Sequence, residues 1–254
     1  MVSHRKRHKS DEWCARPDVI VTGVQQVINP FKQPSYEAAG RDVLGRNPNG
    51  CQPITGIAAT QCKSPLGSDG QNLNEHFLFH GTWYDAVDNI LRNSLDPERG
   101  GESVGAMFGR GLYFAENASK SDFYTTCELC CKTGVTSSKE CKHPTGTRCM
   151  LVAQVLLGES HPVKKQDAAR IKAEDRPDGA PYDSHTALKK DLGGSVDMEH
   201  IIFKEQLSLT RFLIFYRVSP HASAERVRDV VHHPHSPASG AAAAHEAPHA
   251  AGGL

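Results

Sequence analysis

Hydrophobic positions in this chain come in short bursts between polar, glycine-rich stretches, and the spacing within each burst predicts a sheet-rich fold with brief helices. Val19–Val27 carries β-branched residues in partial alternation and predicts a strand. Asn29-Pro30 predicts a helix start: Asn29 can cap, and Pro30 suits the first helical position, whose N–H has no partner anyway. Residues 45–72, rich in Gly, Pro, Asn and Ser, predict a long surface loop. Order resumes at Asn74. Phe77-Leu78-Phe79 is an apolar run of strand length, and Val87, Ile90, Leu91 and Leu95 at helical spacing predict an amphipathic helix over about 84–95. A turn with Gly100, Gly101 and Gly105 leads to a short strand at Leu112-Tyr113-Phe114, after which Asn117 or Ser119 is placed to cap a helix. Met150–Leu157 predicts a strand and residues 159–197 a mostly polar connection. His200–Lys204 and Arg211–Val218 predict two closing strands, the second with apolar residues alternating on both faces.

These elements define one α+β domain over residues 18–218. Residues 1–17 are expected to be a disordered leader, and residues 219–254 a disordered Ala/His/Pro/Gly-rich tail that buries too little to offset its ordering entropy. The tail histidines (His232, His233, His235, His245, His249) are read as solvated low-complexity sequence. Among 254 residues, 29 Lys and Arg balance 29 Asp and Glu, so direct nucleic-acid binding, which rests on a basic excess, is not supported. The charged start has no apolar run behind it and is not a secretory signal. No stretch of about 18 apolar residues exists to span a membrane. Eight cysteines without an export signal read as thiols or metal ligands rather than a disulfide frame. The expected location is intracellular, nucleus or cytoplasm; His4-Arg5-Lys6-Arg7-His8-Lys9 reads as a solvated tail or as an import signal.

The candidate chemistry lies in residues 76–124. A strand ends in His80-Gly81-Thr82, where glycine lets a ligand approach the backbone. A second strand presents Tyr113, and a helix start presents Ser119, Lys120 and Ser121, with Tyr124 one turn on. Tyrosine faces stack on rings, and a glycine backbone with a serine hydroxyl can satisfy an amide. The set suits a flat, amide-bearing, sugar-linked ligand.

The order His80-Gly81-Thr82, then Gly105-Ala-Met-Phe-Gly-Arg-Gly-Leu-Tyr113-Phe-Ala, then Ser119-Lys-Ser-x-x-Tyr124, then Met198-Glu199-His-Ile-Ile-Phe203 resembles the catalytic domain of poly(ADP-ribose) polymerases, tankyrases included. The resemblance spans about 76–218, with a weaker likeness over 18–44. It implies the ADP-ribosyltransferase fold, with split antiparallel β-sheets and flanking short helices. It implies NAD⁺ as substrate, release of nicotinamide, and ADP-ribose transfer to an acceptor protein and a growing ADP-ribose chain. Carried over, the family's triad falls on His80, Tyr113 and Glu199, with His80 on the adenosine ribose. Gly81 and Ser121 would hold the carboxamide, Tyr113 and Tyr124 would sandwich the ring, and Thr82 and Lys120 complete the NAD⁺ contacts. Residues 96–108 would cover the bound dinucleotide. Nicotinamide leaves as a neutral base, placing positive charge on the ribose, and a carboxylate such as Glu199 stabilises that charge most in the transition state. The rival expectations are transfer of a single unit, or a catalytically silent NAD⁺- or ADP-ribose-binding module. An RNA 2′-phosphotransferase is less consistent with these residues.

Cys127, Cys130, Cys131, Cys141 and Cys149 crowd 23 residues, with His143 among them. The Cys127-x-x-Cys130 spacing lets two thiolates reach one tetrahedral ion, with Cys141, His143 or Cys149 supplying the rest. The set Cys127, Cys130, Cys141 and Cys149, with His143 as alternative, is the expected ligand group of a structural zinc; tankyrases resemble the chain in placing a small zinc site here, with a different ligand spacing.

Overall fold

A computed structural model of the chain describes residues 18–57, 60–62, 70–100, 107–133, 141, 143, 145–164, 167–188 and 198–219. The expected leader, and the tail from residue 220 on, lie outside the described residues. The described residues contain eight strands and three α-helices, which alternate up to α3 and then give way to strands: β1 (Asp18–Gln26), α1 (Gln33–Arg46), β2 (Glu75–Gly81), α2 (Val87–Asn93), β3 (Leu112–Phe114), α3 (Ala118–Asp122), β4 (Arg148–Leu156), β5 (Ser160–Val163), β6 (Ser184–Ala187), β7 (Glu199–Ile202) and β8 (Ser208–Ser219).

The strands form two four-stranded sheets, ordered β1-β8-β4-β2 and β3-β7-β6-β5. Pairing is antiparallel throughout except between β5 and β6, which run parallel. The expected α+β architecture of split, mostly antiparallel sheets is therefore present. The sheets touch where Phe79 of β2 and Ala115, just past β3, exchange two backbone hydrogen bonds of 2.9 Å each.

Strand period two explains how each sheet serves two layers. Cys149, Leu151, Ala153 and Val155 of β4 face the main core with Leu78, Leu213, Tyr36, Val43 and Phe114. Met150, on the opposite face, packs with Tyr216, Val218 and Phe79 beneath α3. In the second sheet Ile202 faces the main core, while Ile201 joins Phe108, Val163, Ala187 and Tyr113 on the other side. Each such fully buried aliphatic side chain contributes about 1.5–3 kcal/mol. Beside the first sheet, Glu75 Oε1 accepts from the Tyr36 hydroxyl and from Gln154 Nε2 (2.6 Å), so one oxygen of this buried side chain is doubly hydrogen-bonded.

Several element boundaries differ from expectation. Asn29 Oδ1 accepts from Lys32 N (3.1 Å) in a turn, and the helix begins only at Gln33 with Pro34 in its first turn. Residues 47–57 contain no helix or strand, but Cys51 and Ile57 are buried, so this loop lines the core rather than only the surface. The helix expected over 84–95 is a 3₁₀ turn, Tyr84–Ala86, running into α2, and it ends at Ser94, whose φ of +69° breaks it. The polar connection 159–197 contains β5 and β6, half of the second sheet. Their side chains gave no apolar period, because Ser160, Thr186 and His200 satisfy one another: Ser160 Oγ lies 2.8 Å from Thr186 Oγ1, which lies 3.1 Å from His200 Nδ1.

Candidate functional site

The residues singled out in the sequence gather where the two sheets meet. β2 delivers His80 and Gly81 at its end, with half-buried Thr82 following; β3 delivers Tyr113; α3 delivers Lys120 and Ser121 and leads to Tyr124; β7 opens on Glu199. A five-residue helix has no stability of its own, so contacts must hold α3. Asn117 occupies its N-cap position without a side-chain cap bond, and Ser119 lies inside the helix. Ser121 is buried and its hydroxyl donates to the Phe79 carbonyl (3.0 Å). Gly81 permits this approach, since a Cβ there would stand 1.8 Å from the Ser121 carbonyl oxygen.

His80 Nδ1 donates to the Tyr113 carbonyl (2.8 Å), a polarity the carbonyl dictates and which leaves Nε2 as the acceptor nitrogen. Burial lowers the His80 pKa, with the bond to Tyr113 only partly opposing it, so the ring is neutral at pH 7. The Tyr113 hydroxyl accepts from Phe108 N (2.9 Å) and donates to the Gly109 carbonyl (2.7 Å). Burial pushes that phenol up to about 12; the Phe108 bond opposes this and the Glu199 charge adds to it. Across the seam, Lys120 Nζ stands 3.3 Å from Glu199 Oε1, and the same ammonium lies 5.6 Å from the Tyr124 ring centroid. Burial alone would lower the Lys120 pKa, but Glu199 and Tyr124 outweigh it and the net shift is upward. Glu199 is itself buried, its side chain 8 % exposed.

Two features of the site escaped the sequence reading. Arg170, in the polar connection, packs over Gly109, and its carbonyl accepts from Arg110 N (2.7 Å), bracing the turn that holds the Tyr113 hydroxyl. Nothing in the composition of residues 167–176 signals that contact. Asp122, inside the Ser-Lys-Ser-x-x-Tyr run, is buried beneath α3 with Arg148 and Tyr216. Of the expected covering loop, residues 101–106 lie outside the described residues.

Four candidate metal ligands form a second cluster just beyond Tyr124. Cys127, Cys130, Cys141 and His143 bring one ligand atom each within 4.8 Å of one another. Cys127 Sγ lies 3.4 Å from Cys130 Sγ and 3.6 Å from Cys141 Sγ, while His143 Nδ1 lies 3.4 Å and 3.3 Å from the first two sulfurs. Zn–S bonds of about 2.3 Å in a tetrahedron put neighbouring sulfurs roughly 3.7 Å apart, so the donor set fits such an ion. Burial raises the Cys141 thiol, but a hydrogen bond from the His143 backbone and the charge of Arg148 outweigh it and lower its pKa. Cys149 is not in the cluster. β4 starts at Arg148, two residues before the expected start at Met150, and the alternation of the strand turns Cys149 into the main core; His143 takes the fourth position.

Residues 52–218 match the poly(ADP-ribose) polymerase catalytic domain, and the chain belongs to that family. β1 and α1 precede the matched range, yet β1 completes the first sheet on β8. Over 96 residues (36 % of this chain) the sequence is 35 % identical to Poly [ADP-ribose] polymerase 1 of Arabidopsis thaliana, covering 8 % of that protein. Over 59 residues (23 % of this chain) it is 39 % identical to Protein mono-ADP-ribosyltransferase PARP14 of Homo sapiens, covering 3 % of that protein. The matched segments are thus a small part of either relative's length. Among the described residues no helix is long and apolar enough to cross a membrane.

Proposed function

We propose that residues 18–218 form an ADP-ribosyltransferase that cleaves the nicotinamide–ribose bond of NAD⁺ and passes ADP-ribose to a protein acceptor. Membership of the poly(ADP-ribose) polymerase catalytic domain family supports the reaction class. The single observation that carries the reading is the 3.3 Å approach of Lys120 to Glu199, which draws the last motif of the signature onto the third. In this reading the Gly81 backbone and the Ser121 hydroxyl hold the carboxamide, and Tyr113 and Tyr124 flank the ring. His80, neutral and oriented by the Tyr113 carbonyl, offers Nε2 to the adenosine ribose. Glu199 accepts a hydrogen bond from the nicotinamide ribose and opposes the positive charge that grows as nicotinamide departs. Such fixed electrostatic groups are worth about 10²–10³ in rate.

The acceptor, in our reading, includes a growing ADP-ribose chain, since Glu199 can also polarise an incoming hydroxyl. One relative is named a polymerase and the other a mono-transferase, so the product decides. Incubation with labelled NAD⁺ and electrophoresis is expected to give a ladder; a single sharp band would reassign the chain to one-unit transfer, and no nicotinamide release would overturn the enzyme reading. Cys127, Cys130, Cys141 and His143 would hold a structural zinc that closes the loop after Tyr124. Such an ion would supply folding energy rather than chemistry. The protein is proposed to act inside the cell.

A further inference from the structure

The geometry points to a buried polar lock beneath α3, formed by Asp122, Arg148, Tyr216 and Thr125, that sets affinity for NAD⁺ without touching it. The inference rests on the NAD⁺ reading above and names positioning residues for that site. Asp122 Oδ1 accepts from the Tyr216 hydroxyl (2.7 Å) and faces Arg148 Nη1 (3.5 Å). Arg148 Nη1 also reaches the Thr125 carbonyl (3.4 Å) and Thr125 Oγ1 (3.3 Å), and Thr125 Oγ1 lies 2.9 Å from the Tyr216 hydroxyl. Arg148 and Tyr216 are direct partners on β4 and β8, two adjacent strands of the first sheet. The two side chains of one cross-strand pair in the sheet therefore grip the one carboxylate that α3 carries. The same short helix carries Lys120 and Ser121 and leads to Tyr124.

Stability alone does not account for this arrangement. Arg148 is 1 % exposed and Asp122 3 %, and a buried ion pair can be replaced by apolar residues of similar volume at little or no loss of stability. What apolar packing lacks is direction. Hydrogen bonds to fixed atoms orient α3, and a shift of about 1 Å at a binding constellation is enough to weaken it. Arg148 also pairs through its backbone with Cys127, the first ligand of the Cys/His cluster, so the lock joins the loop after Tyr124 to the same sheet.

The double variant Asp122→Leu/Arg148→Met in the full chain separates position from stability. Thermal melting, calorimetric titration with NAD⁺ and with nicotinamide, and steady-state nicotinamide release are measured on it and on wild type. The expected result is a Tm within about 3 °C of wild type, with affinity for both ligands about tenfold lower, KM raised to match and kcat within about threefold. A stably folded double variant with wild-type affinity and KM overturns the lock. If the double variant fails to melt cooperatively, Tyr216→Phe decides: about threefold weaker NAD⁺ binding is expected from loss of one hydroxyl, and unchanged binding overturns the proposal. Wild-type protein that binds neither ligand overturns the NAD⁺ reading itself, and the lock with it.

Discussion

Lys120 and Glu199 stand 3.3 Å apart although they come from α3 and β7, elements seated on different sheets and separated by 76 residues of chain (123–198). Their pairing depends on both ends of a geometric chain. β7 must start at residue 199, and α3 must sit against the end of β2, which it does because Gly81 has no side chain to keep it away.

Gly81→Ala should therefore damage the site more than its size suggests. The new Cβ would meet backbone, not a flexible side chain, 1.8 Å from the Ser121 carbonyl oxygen. We expect a stability loss of about 2–4 kcal/mol, the range of severe steric conflicts, and NAD⁺ affinity at least about tenfold weaker. Chemical denaturation and ligand titration measure both; wild-type values in each would show that α3 can move aside freely.

Tyr113→Phe removes the hydroxyl that accepts from Phe108 N and donates to the Gly109 carbonyl. An unsatisfied buried backbone group costs about 1–3 kcal/mol, and it falls here on the turn that ends the covering loop. KM for NAD⁺ is expected to rise about tenfold with a smaller change in kcat. Steady-state kinetics check this, and an unchanged KM would mean that the hydroxyl anchors nothing the substrate needs.

Metal analysis of protein purified without chelator should find about one equivalent of zinc. His143→Ala and Cys141→Ala should lower it to about a tenth of an equivalent or less, since structural sites need all four ligands. Cys149→Ala should leave it unchanged, because that thiol faces the main core. Zinc lost with Cys149 and retained without His143 would reverse the assignment.

Stability should fall with acidification below about pH 6.5. His76 and His185 are both lowered from 6.5 to about 4: burial is the main cause, and at His185 the charges of Arg170 and His161 add to it while Glu174 opposes. His80 is lowered as well, by burial. Between the two pKa values the unfolded chain binds protons that the native state refuses, so stability rises with pH across the window from about 4 to 6.5. Tm at pH 5 should lie at least about 4 °C below Tm at pH 7. Melting curves across that range test the sign, and a higher Tm at pH 5 would contradict it.

Much of the site was legible because its residues sit at the ends of short elements flanked by glycine. His80-Gly81-Thr82, Tyr113 and Ser121 stand on β2, its end, β3 and α3, close to where the hydrophobic pattern placed them. The second sheet was half hidden. Ser160-His-Pro-Val163 and Ser184-His-Thr-Ala187 carry mostly polar side chains, with Ser160 and Thr186 bonded to each other and Ser184 to the Leu157 carbonyl, so no apolar period marks them. Asp122 and Arg148 were invisible for a related reason. A charge reads as surface in a sequence, and only the register Arg148↔Tyr216 shows the pair buried under α3. Cys149 was misplaced by a strand boundary two residues out, enough to leave in a loop a side chain that the strand turns to the core.

The most direct test compares nicotinamide release from NAD⁺ by wild type and by Glu199→Gln, with NAD⁺ affinity measured on both. Glutamine keeps the size of the side chain and removes its charge, so release should fall by about 10²–10³ while affinity changes by less than about fivefold. Wild-type protein that binds NAD⁺ yet releases no nicotinamide, or a Glu199→Gln variant as fast as wild type, would contradict the account.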